Sequence, residues 1–197
     1  MVAKLGVTAT GEKRVRADAQ RNLDALLQAA KTVFVTSGVD APVREIAEKA
    51  GVGVGTLYRH FPQRADLIAA VFRREIDACA DAAPLLAAEN PPFEALGLWL
   101  QRYAIFVAAK RGLAPALHSG NPVFLTLRDY FEGRVRPALK TLLEAAIASG
   151  TARDDIDADD LLTAVSSLGM SGYTDKPEQV QRLVALVVDG LRRRGEG

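Results

Sequence analysis

Cysteine and histidine are scarce in this chain of 197 residues, which has one cysteine and two histidines. Cys79 has no second thiol in the chain with which to form a disulfide, and its neighbours Asp77 and Asp81 disfavour a reactive thiolate. His60 and His118 lie too far from each other and from Cys79 in sequence for the ligand spacing of a structural zinc site. We therefore expect a structural cysteine, no metal and no cofactor.

Long hydrophobic runs are also absent. No run of about 18 apolar residues is free of charge, and the N-terminus lacks the apolar core of a secretion signal. No stretch of alternating residues is long enough to indicate a β-sheet, and no internal repeat is visible. These absences predict an all-α protein in the cytoplasm, with no membrane among its partners.

Two short motifs superficially suggest an ion or nucleotide site. In the acidic run 154–160, Asp160 stands where a calcium loop needs glycine, and Ser166 stands where it needs the bidentate glutamate. The acidic run is better explained as a helix start that favours the helix dipole. The glycines of residues 51–55 neither follow a strand nor precede a Lys-Ser/Thr pair, so they do not form a phosphate-binding loop.

The net charge of +1 conceals an uneven distribution. Residues 1–75 hold twelve Lys or Arg against eight Asp or Glu, a net charge of +4, whereas the remaining residues have a net charge of −3. A basic end is typical both of chains that bind nucleic acid and of an ordinary solvated surface. Charge alone does not decide between these two interpretations.

The basic part of the chain contains the pattern of two short helices joined by a sharp turn, in residues 43–67. Ala47 is small enough for a second helix to cross closely above it. Gly51 follows four residues later, where a helix that turns sharply needs a positive φ that only glycine adopts without a Cβ clash. Val52 and Leu57 then lie where they fill the angle between the helices. The pattern predicts a helix-turn-helix.

The second of these helices has a polar and cationic outer face. Pro62 lacks an amide hydrogen and disfavours helix in the residue before it, so this helix should end at His60 or Phe61. Thr56, Tyr58 and Arg59 remain for the outer face. A short helix with an exposed, cationic end is suited to the major groove of DNA.

These residues resemble the signature of the TetR-type transcriptional regulators of bacteria. The matching residues, in the order and spacing of the family, are Ile46-Ala47, Ala50-Gly51-Val52, Gly55-Thr56-Leu57-Tyr58, His60-Phe61 and Leu67. The chain departs from the family at Gly53, where a serine commonly caps the recognition helix; glycine is a tolerated N-cap that is weaker by ~0.5 kcal/mol. The strong resemblance covers about residues 20–70.

The resemblance and the helical patterning together predict the domain organisation. We expect a flexible basic arm in residues 1–19, which either follows the DNA backbone or is an ordinary loose terminus. A three-helix helix-turn-helix DNA-binding domain is expected in residues 20–66, with its first helix at about residues 20–37. A larger helical domain for effector binding and dimerisation should occupy residues 67–197. A helix from about residue 63 to residue 88 is expected to connect the two domains.

The DNA-binding side chains divide into two roles by residue type. Thr56, Tyr58 and His60 are expected to contact phosphates through hydroxyl and ring N–H groups. Arg64 stands where the family usually has lysine, and the resemblance implies a further phosphate contact there.

Base edges would be read by the leading end of the recognition helix and by arginines. Val54 and Gly55 permit close approach, and the valine methyls can meet a thymine methyl. Arg44 and Arg59 can reach a guanine edge, although Arg59 is equally consistent with a solvent-facing charge. Leu57 and Phe61, in contrast, are interpreted as core residues.

The last two predicted helices, at about residues 159–171 and 177–194, carry more apolar surface than one core can cover. A two-fold copy would form a four-helix interface, which is also how the resembled family dimerises. Burial of these helices within one subunit is the alternative. The predicted interface residues are Leu161, Val165, Leu168, Val180, Leu183, Val184, Val187 and Leu191.

A small-molecule effector would bind in the same domain. The candidate residues combine an aromatic stripe with two polar side chains, and are Trp99, Tyr103, Phe106, His118, Phe124 and Arg128. Aromatic stripes at helical spacing are usually core, and a surface arginine is commoner than one that binds a ligand, so both interpretations stay open.

Together these patterns predict a homodimeric, sequence-specific DNA-binding transcriptional regulator and not an enzyme. It is expected to be a repressor that a small-molecule effector releases from a double-stranded operator. One alternative is a small-molecule-binding helical protein with a vestigial DNA-binding motif. The other is a small helical enzyme, which the sequence disfavours because no nucleophile, base and orienting group converge in it.

Overall fold

In the computed structural model of the chain, residues 8–110, 120–170 and 177–193 are described. These residues form helices and no strand, which confirms the predicted all-α class. The chain divides into an N-terminal unit, Met1–Val71, and a C-terminal unit, Phe72–Gly197. The helices are α1 (Thr8–Ser37), α2 (Val43–Lys49), α3 (Val54–His60), α4 (Arg64–Ala80), α5 (Ala82–Glu89), α6 (Pro92–Lys110), α7 (Pro122–Ala148), α8 (Ala158–Met170) and α9 (Pro177–Gly190).

Helix α1 starts at Thr8, well before the predicted start near residue 20. Residues 8–19, which were expected to belong to a flexible arm, are therefore helical, while residues 1–7 lie outside the described part. The segment is charged, but most of its residues are Ala, Arg, Lys and Glu, which favour helix, so its polarity does not prevent a helix from forming. The helix ends at Ser37 because Gly38 has a φ of +80°.

The helix predicted between residues 63 and 88 is divided at Asp81 into α4 and α5. Pro84 explains the division, because it has no N–H to donate to the carbonyl of Ala80 and its ring clashes with that carbonyl. The boundary between the two units falls inside α4, between Val71 and Phe72. Helix α4 is thus the covalent connection from one unit to the other.

Helix α6 is the centre of the C-terminal unit and packs against α5, α7, α8 and α9. The approach of α8 is close at Gly169, where an added Cβ would lie 2.8 Å from Cγ1 of Val107 on α6. Helix α9 ends at Gly190, before the predicted residue 194. Beyond that end, the backbone pairs with the segment after α7, since the Arg153 N–H donates to the Leu191 carbonyl at 2.9 Å.

No helix in the described ranges is both long enough and apolar enough to cross a membrane.

Candidate nucleic-acid interface

The turn between α2 and α3 is fixed by hydrogen bonds of its own backbone. Gly51 has a φ of +68°, as predicted. The Gly51 N–H donates to the Glu48 carbonyl and the Val52 N–H to the Ala47 carbonyl, each at 3.0 Å. This pair of bonds is a Schellman motif, which requires the left-handed conformation at its central glycine. The sharp angle between the helices is therefore set by one residue.

Helix α3 has one buried and one exposed face. Leu57 and Phe61 are 1% and 8% exposed, which confirms that both are core residues. Outside this buried face, Val54 is 37% and Tyr58 51% exposed. Three further residues of α3 that were predicted to contact DNA are also exposed: Gly55, Arg59 and His60. Thr56 is half-buried. The residues of α3 that were predicted to contact DNA thus all lie outside its buried face.

The start of α3 lacks a side-chain cap. Gly53 occupies the N-cap position in an extended conformation and no side chain accepts a hydrogen bond there. The Gly53 carbonyl still accepts from the Thr56 and Leu57 N–H groups at 2.9 and 3.3 Å. The departure from serine at this position costs a capping bond without disrupting the helix.

Arg59 lies across the first turn of α3. Its Nε donates to the Gly55 carbonyl at 3.3 Å, and its Nη2 donates to the Thr56 hydroxyl oxygen at 3.0 Å. The hydroxyl hydrogen of Thr56 remains available to an external acceptor such as a phosphate oxygen. Arg59 was predicted either to read a guanine edge or to face solvent. Its bonds to its own helix are an arrangement that the sequence did not indicate.

Arg64, at the first position of α4, has a different environment from the one predicted. Its Nη1 donates to the Val39 carbonyl and its Nη2 to the Ala41 carbonyl at 2.6 Å. The guanidinium is half-buried against the segment between α1 and α2. A phosphate contact by Arg64 stays a prediction, but the side chain already has protein acceptors.

Arg44 lies in the first turn of α2 and is exposed, as a base-reading residue must be. The neighbouring Glu45 accepts a hydrogen bond from the Ser37 hydroxyl at 3.1 Å, which ties this turn to the end of α1. The start of α2 is thus held by two elements, α1 and α4. Neither contact follows from residue type, because Ser37 and Glu45 are eight residues apart and the Arg64 acceptors lie more than twenty residues away.

The aromatic residues predicted to bind an effector lie inside the C-terminal unit. Trp99 is 0%, Tyr103 1%, Phe124 7% and Phe106 8% exposed. Trp99 stacks on Tyr103 with ring centroids 5.5 Å apart, and Tyr103 stacks in turn on Phe106 at 6.2 Å. Phe131 adds to the same cluster, 6.0 Å from Phe106. These contacts favour the core interpretation.

The polar atoms of this cluster are satisfied by protein groups. The Trp99 Nε1–H donates to the Cys79 carbonyl at 3.0 Å, and the Tyr103 hydroxyl shares a hydrogen bond with Ser166 at 2.7 Å. Arg128, by contrast, lies at the surface in an ion pair with Glu132.

His118 lies outside the described residues. A cavity of about 730 Å³ opens elsewhere in the C-terminal unit, between α7 and the start of α8, and its lining includes Arg136, Lys140 and Ile156 but none of the predicted effector residues. Effector contact by those residues stays a prediction.

A polar network that the sequence did not indicate joins α4 to α7. Arg134 forms ion pairs with Asp77 at 3.1 Å and with Asp81 at 2.6 Å. The Tyr130 hydroxyl donates to Asp77 at 2.6 Å, and this hydrogen bond raises the pKa of the Tyr130 phenol. Arg73 lies over the Tyr130 ring, 4.9 Å from its centroid. The C-terminal half of α4 is thereby fixed to α7 within the unit.

The predicted interface residues of α8 and α9 divide into two groups. Buried within the subunit are Leu161, Val165, Val180, Val184 and Leu191. Half-buried are Leu168, Leu183 and Val187. On the same two helices, Leu186 is 67% and Met170 42% exposed.

Cys79 is buried, and burial raises the pKa of its thiol to about 12 from an ordinary value of 9.0. Burial is the largest cause of this rise, and the Arg102 charge opposes it. The charges of Asp77 and Asp81, from which a poorly reactive thiol was predicted, are not the main reason for the raised pKa. Burial also raises the pKa of the Tyr103 phenol to about 12 from 10.0. Both groups are neutral at physiological pH, and the thiol is unreactive while the unit is folded.

These two groups predict an alkaline loss of stability. Their pKa values are higher in the folded than in the unfolded state, so their contribution is complete below the unfolded values and is lost as pH rises through the folded values. We expect the free energy of unfolding of the C-terminal unit to fall between pH 9.0 and about 12. Urea titrations followed by fluorescence of Trp99, the one tryptophan of the chain, measure it.

The Cys79→Ala variant is the matched control for this pH dependence. With the thiol removed, the decline should begin nearer 10.0, where Tyr103 starts to titrate in the unfolded chain. A stability that is constant across this range in the wild-type protein would contradict the burial of both groups in solution.

Comparison with known proteins agrees with this geometry. Residues 26–71 match the family described as bacterial regulatory proteins, tetR family, and residues 91–193 match the C-terminal domain described as transcriptional regulator SbtR-like. Over 64 residues the chain is 38% identical to an HTH-type transcriptional regulator of Staphylococcus aureus strain USA300, an alignment that covers 32% of this chain and only 35% of that regulator.

Solved structures match over nearly their whole length. A TetR transcriptional regulator from Streptomyces coelicolor has 40% sequence identity and a TM-score of 0.76, covering 87% of this chain and 99% of that one. A TetR transcription regulatory protein from Mycobacterium vanbaalenii has 34% identity and a TM-score of 0.75, covering 91% and 99%. With its helix-turn-helix intact and both domain profiles matched in order, the chain belongs to the TetR family of DNA-binding transcriptional regulators.

Proposed function

We propose that this protein is a repressor that binds a specific double-stranded operator through the exposed face of α3 and the start of α2. The observation that carries the proposal is the division of α3 into a buried face, with Leu57 at 1% exposure, and an exposed face on which Tyr58 is 51% exposed. A helix can enter a major groove only if it is ordered and its outer face is polar and uncovered.

The DNA-contacting side chains are proposed to keep the two roles assigned from the sequence. Thr56, Tyr58 and His60 would bind phosphates and fix the position of α3. Arg44 would read a base edge, and Val54 and Gly55, at the leading end of α3, would allow the backbone to come close to the bases. Arg59 would act with Thr56, whose hydroxyl oxygen it already contacts.

We propose that the protein acts as a homodimer formed by α8 and α9. Leu186 and Met170 are exposed apolar residues on these helices, beside the half-buried Leu168, Leu183 and Val187. Burial of an apolar surface of this kind against a second copy is the expected driving force. A dimer also presents two recognition helices, which fits a pseudo-palindromic site with half-sites about 34–36 Å apart.

An effector is proposed to act in the C-terminal unit. Effector binding would favour an arrangement of the dimer that no longer matches the operator, and a shift from 1:99 to 99:1 requires about 5.5 kcal/mol of differential affinity. Helix α4 is the covalent connection through which such a shift reaches the N-terminal unit. The proposal includes action in the cytoplasm and no catalytic activity.

Selection of bound fragments from genomic DNA, followed by measurement of affinity at fixed salt, tests DNA recognition. For Tyr58→Phe we expect weaker binding of all duplexes, selected or random, by a similar factor of about 2 to 10, because one phosphate contact is lost. For Arg44→Ala we expect relaxed preference at one base pair, a loss of about 1–3 kcal/mol of discrimination.

Lys49→Ala is the matched control for Arg44→Ala, since Lys49 is the other exposed cation of α2. It should leave the base preference unchanged. Wild-type protein that shows no preference for any selected fragment over random competitor would reject the proposed function. Identical effects of Tyr58→Phe and Arg44→Ala would reject the division of roles.

A further inference from the structure

Arg64 joins the two ends of the helix-turn-helix. Its Nη1 and Nη2 donate to the carbonyls of Val39 and Ala41, which lie 25 and 23 residues earlier in the chain. The intervening residues contain all of α2 and α3. The guanidinium therefore closes a loop around both helices of the motif, within the N-terminal unit.

Both partners of this contact are held in place by the surrounding backbone. On the α4 side, the Gln63 N–H donates to the Asp66 carboxylate at 3.0 Å, as in one half of a capping box, which fixes the first turn from which Arg64 projects. On the other side, Gly38 has a positive φ and its carbonyl accepts from the Ala41 N–H at 3.3 Å. The two carbonyls are thus presented together to one planar group.

The bonded segment leads directly into the start of α2. Pro42 is the N-cap of α2, and Arg44 lies in its first turn. The direction of the chain at Ala41 consequently sets where the Arg44 side chain emerges and how α2 supports α3. A planar guanidinium with two bonded nitrogens restrains that direction better than one hydrogen bond does.

We propose that Arg64 is a positioning residue of the DNA interface, which holds the start of α2 through the Val39 and Ala41 carbonyls, and that a phosphate contact is not its main role. The inference rests on the proposed function, because it concerns specific operator binding. It changes the role of Arg64 from an external ionic contact to an internal one.

The salt dependence of operator binding separates the two roles. A residue that neutralises one phosphate contributes about 0.9 to the slope of log K against log salt concentration. Loss of a positioning contact lowers the affinity at every salt concentration and leaves this slope unchanged. Arg64→Ala removes both the charge and the bonds, whereas Arg64→Lys keeps the charge on a shorter chain with a single nitrogen, which cannot occupy both bonding positions.

We expect Arg64→Ala to weaken binding of the selected operator about tenfold, with an unchanged salt slope, and to weaken binding of random duplex less than about twofold. Arg64→Lys should lose most of the same specific affinity. The measurements are made at a temperature at which circular dichroism shows both variants to be folded. A merely structural role would then leave the ratio of specific to non-specific affinity unchanged, and that result would overturn the proposal.

Two further results would also overturn it: recovery of wild-type affinity by Arg64→Lys, or a slope reduced in Arg64→Ala by about 0.9 for each of the two subunits, about 1.8 for the dimer. A readout without DNA keeps the test independent of the proposed function. Amide hydrogen exchange at Ala41 and Glu45 should be faster in both variants than in the wild type, because the start of α2 opens more often. Wild-type protein that binds no operator would reject the proposed function, while the exchange measurement would still decide whether Arg64 holds this segment.

Discussion

Replacement of Trp99 by alanine should destabilise the C-terminal unit by about 3–5 kcal/mol. Trp99 is fully buried on α6, stacks on Tyr103 and donates its indole N–H to the Cys79 carbonyl at 3.0 Å. Truncation leaves a cavity at the centre of the unit and also removes the hydrogen bond to α4. Urea unfolding followed by far-ultraviolet circular dichroism measures the loss, since the variant has no tryptophan to report it.

The Trp99→Phe variant separates packing from hydrogen bonding. It keeps a stacked ring beside Tyr103 but has no N–H to donate, so its stability should lie between those of the wild type and Trp99→Ala. Leu85→Ala, at a position 64% exposed on α5, is the surface control and should change stability by less than about 0.5 kcal/mol. If Trp99→Ala were as stable as the wild type, Trp99 would line an open effector pocket in solution instead of filling the core.

Replacement of Leu57 by alanine should destabilise the N-terminal unit by about 2–5 kcal/mol and abolish operator binding at temperatures where that unit is then unfolded. Leu57 is the buried residue of α3, and α3 has only seven residues and no side-chain cap. A helix this short is not stable alone, so its order depends on packing. Amide hydrogen exchange in α3, compared with operator affinity at the same temperature, measures both effects.

Val54→Ala is the stability control, because Val54 lies on the same helix and is 37% exposed. Amide exchange in α3 of this variant should stay close to that of the wild type. The free energy of opening calculated from it should change by less than about 0.5 kcal/mol. Slow exchange throughout α3 in the Leu57→Ala variant would show that the recognition helix does not depend on its buried face, contrary to the structure.

The helix-turn-helix was predictable from sequence because its determinants are local. Gly51 is needed for a positive φ, Pro62 limits the end of α3, and Leu57 has the spacing of a buried residue. Each of these constraints acts within a few residues of the chain. The exposed face of α3 followed directly, since it consists of the residues that remain.

The roles of Arg64 and Arg59 were not predictable in the same way. The Arg64 acceptors lie more than twenty residues away, and a long cationic side chain at a helix start satisfies either a phosphate or a carbonyl by residue type alone. For Arg59 the deciding contact is with Thr56, within one turn, but an arginine has many rotamers and the sequence does not select among them.

The positions of the helices in the C-terminal unit were approximately predictable from sequence. The contacts that their side chains make with other helices were not. Apolar periodicity placed α8 to within one residue at each end, but the effect of Pro84 was missed and divides one expected helix into α4 and α5. The same periodicity could not distinguish an aromatic stripe that lines a cavity from one that fills a core. The stacked rings of Trp99 and Tyr103 show a packed arrangement.

The sequence by itself determined the family, the all-α class and the location of the DNA-reading helix. Those features depend on backbone conformation and on apolar spacing, which short segments encode. Only the tertiary structure decided which polar side chains are free to meet DNA and which are bonded to the protein. It also decided which apolar residues of α8 and α9 are buried within the subunit. Such pairings join residues that are distant in the chain, and residue type restricts them without selecting one.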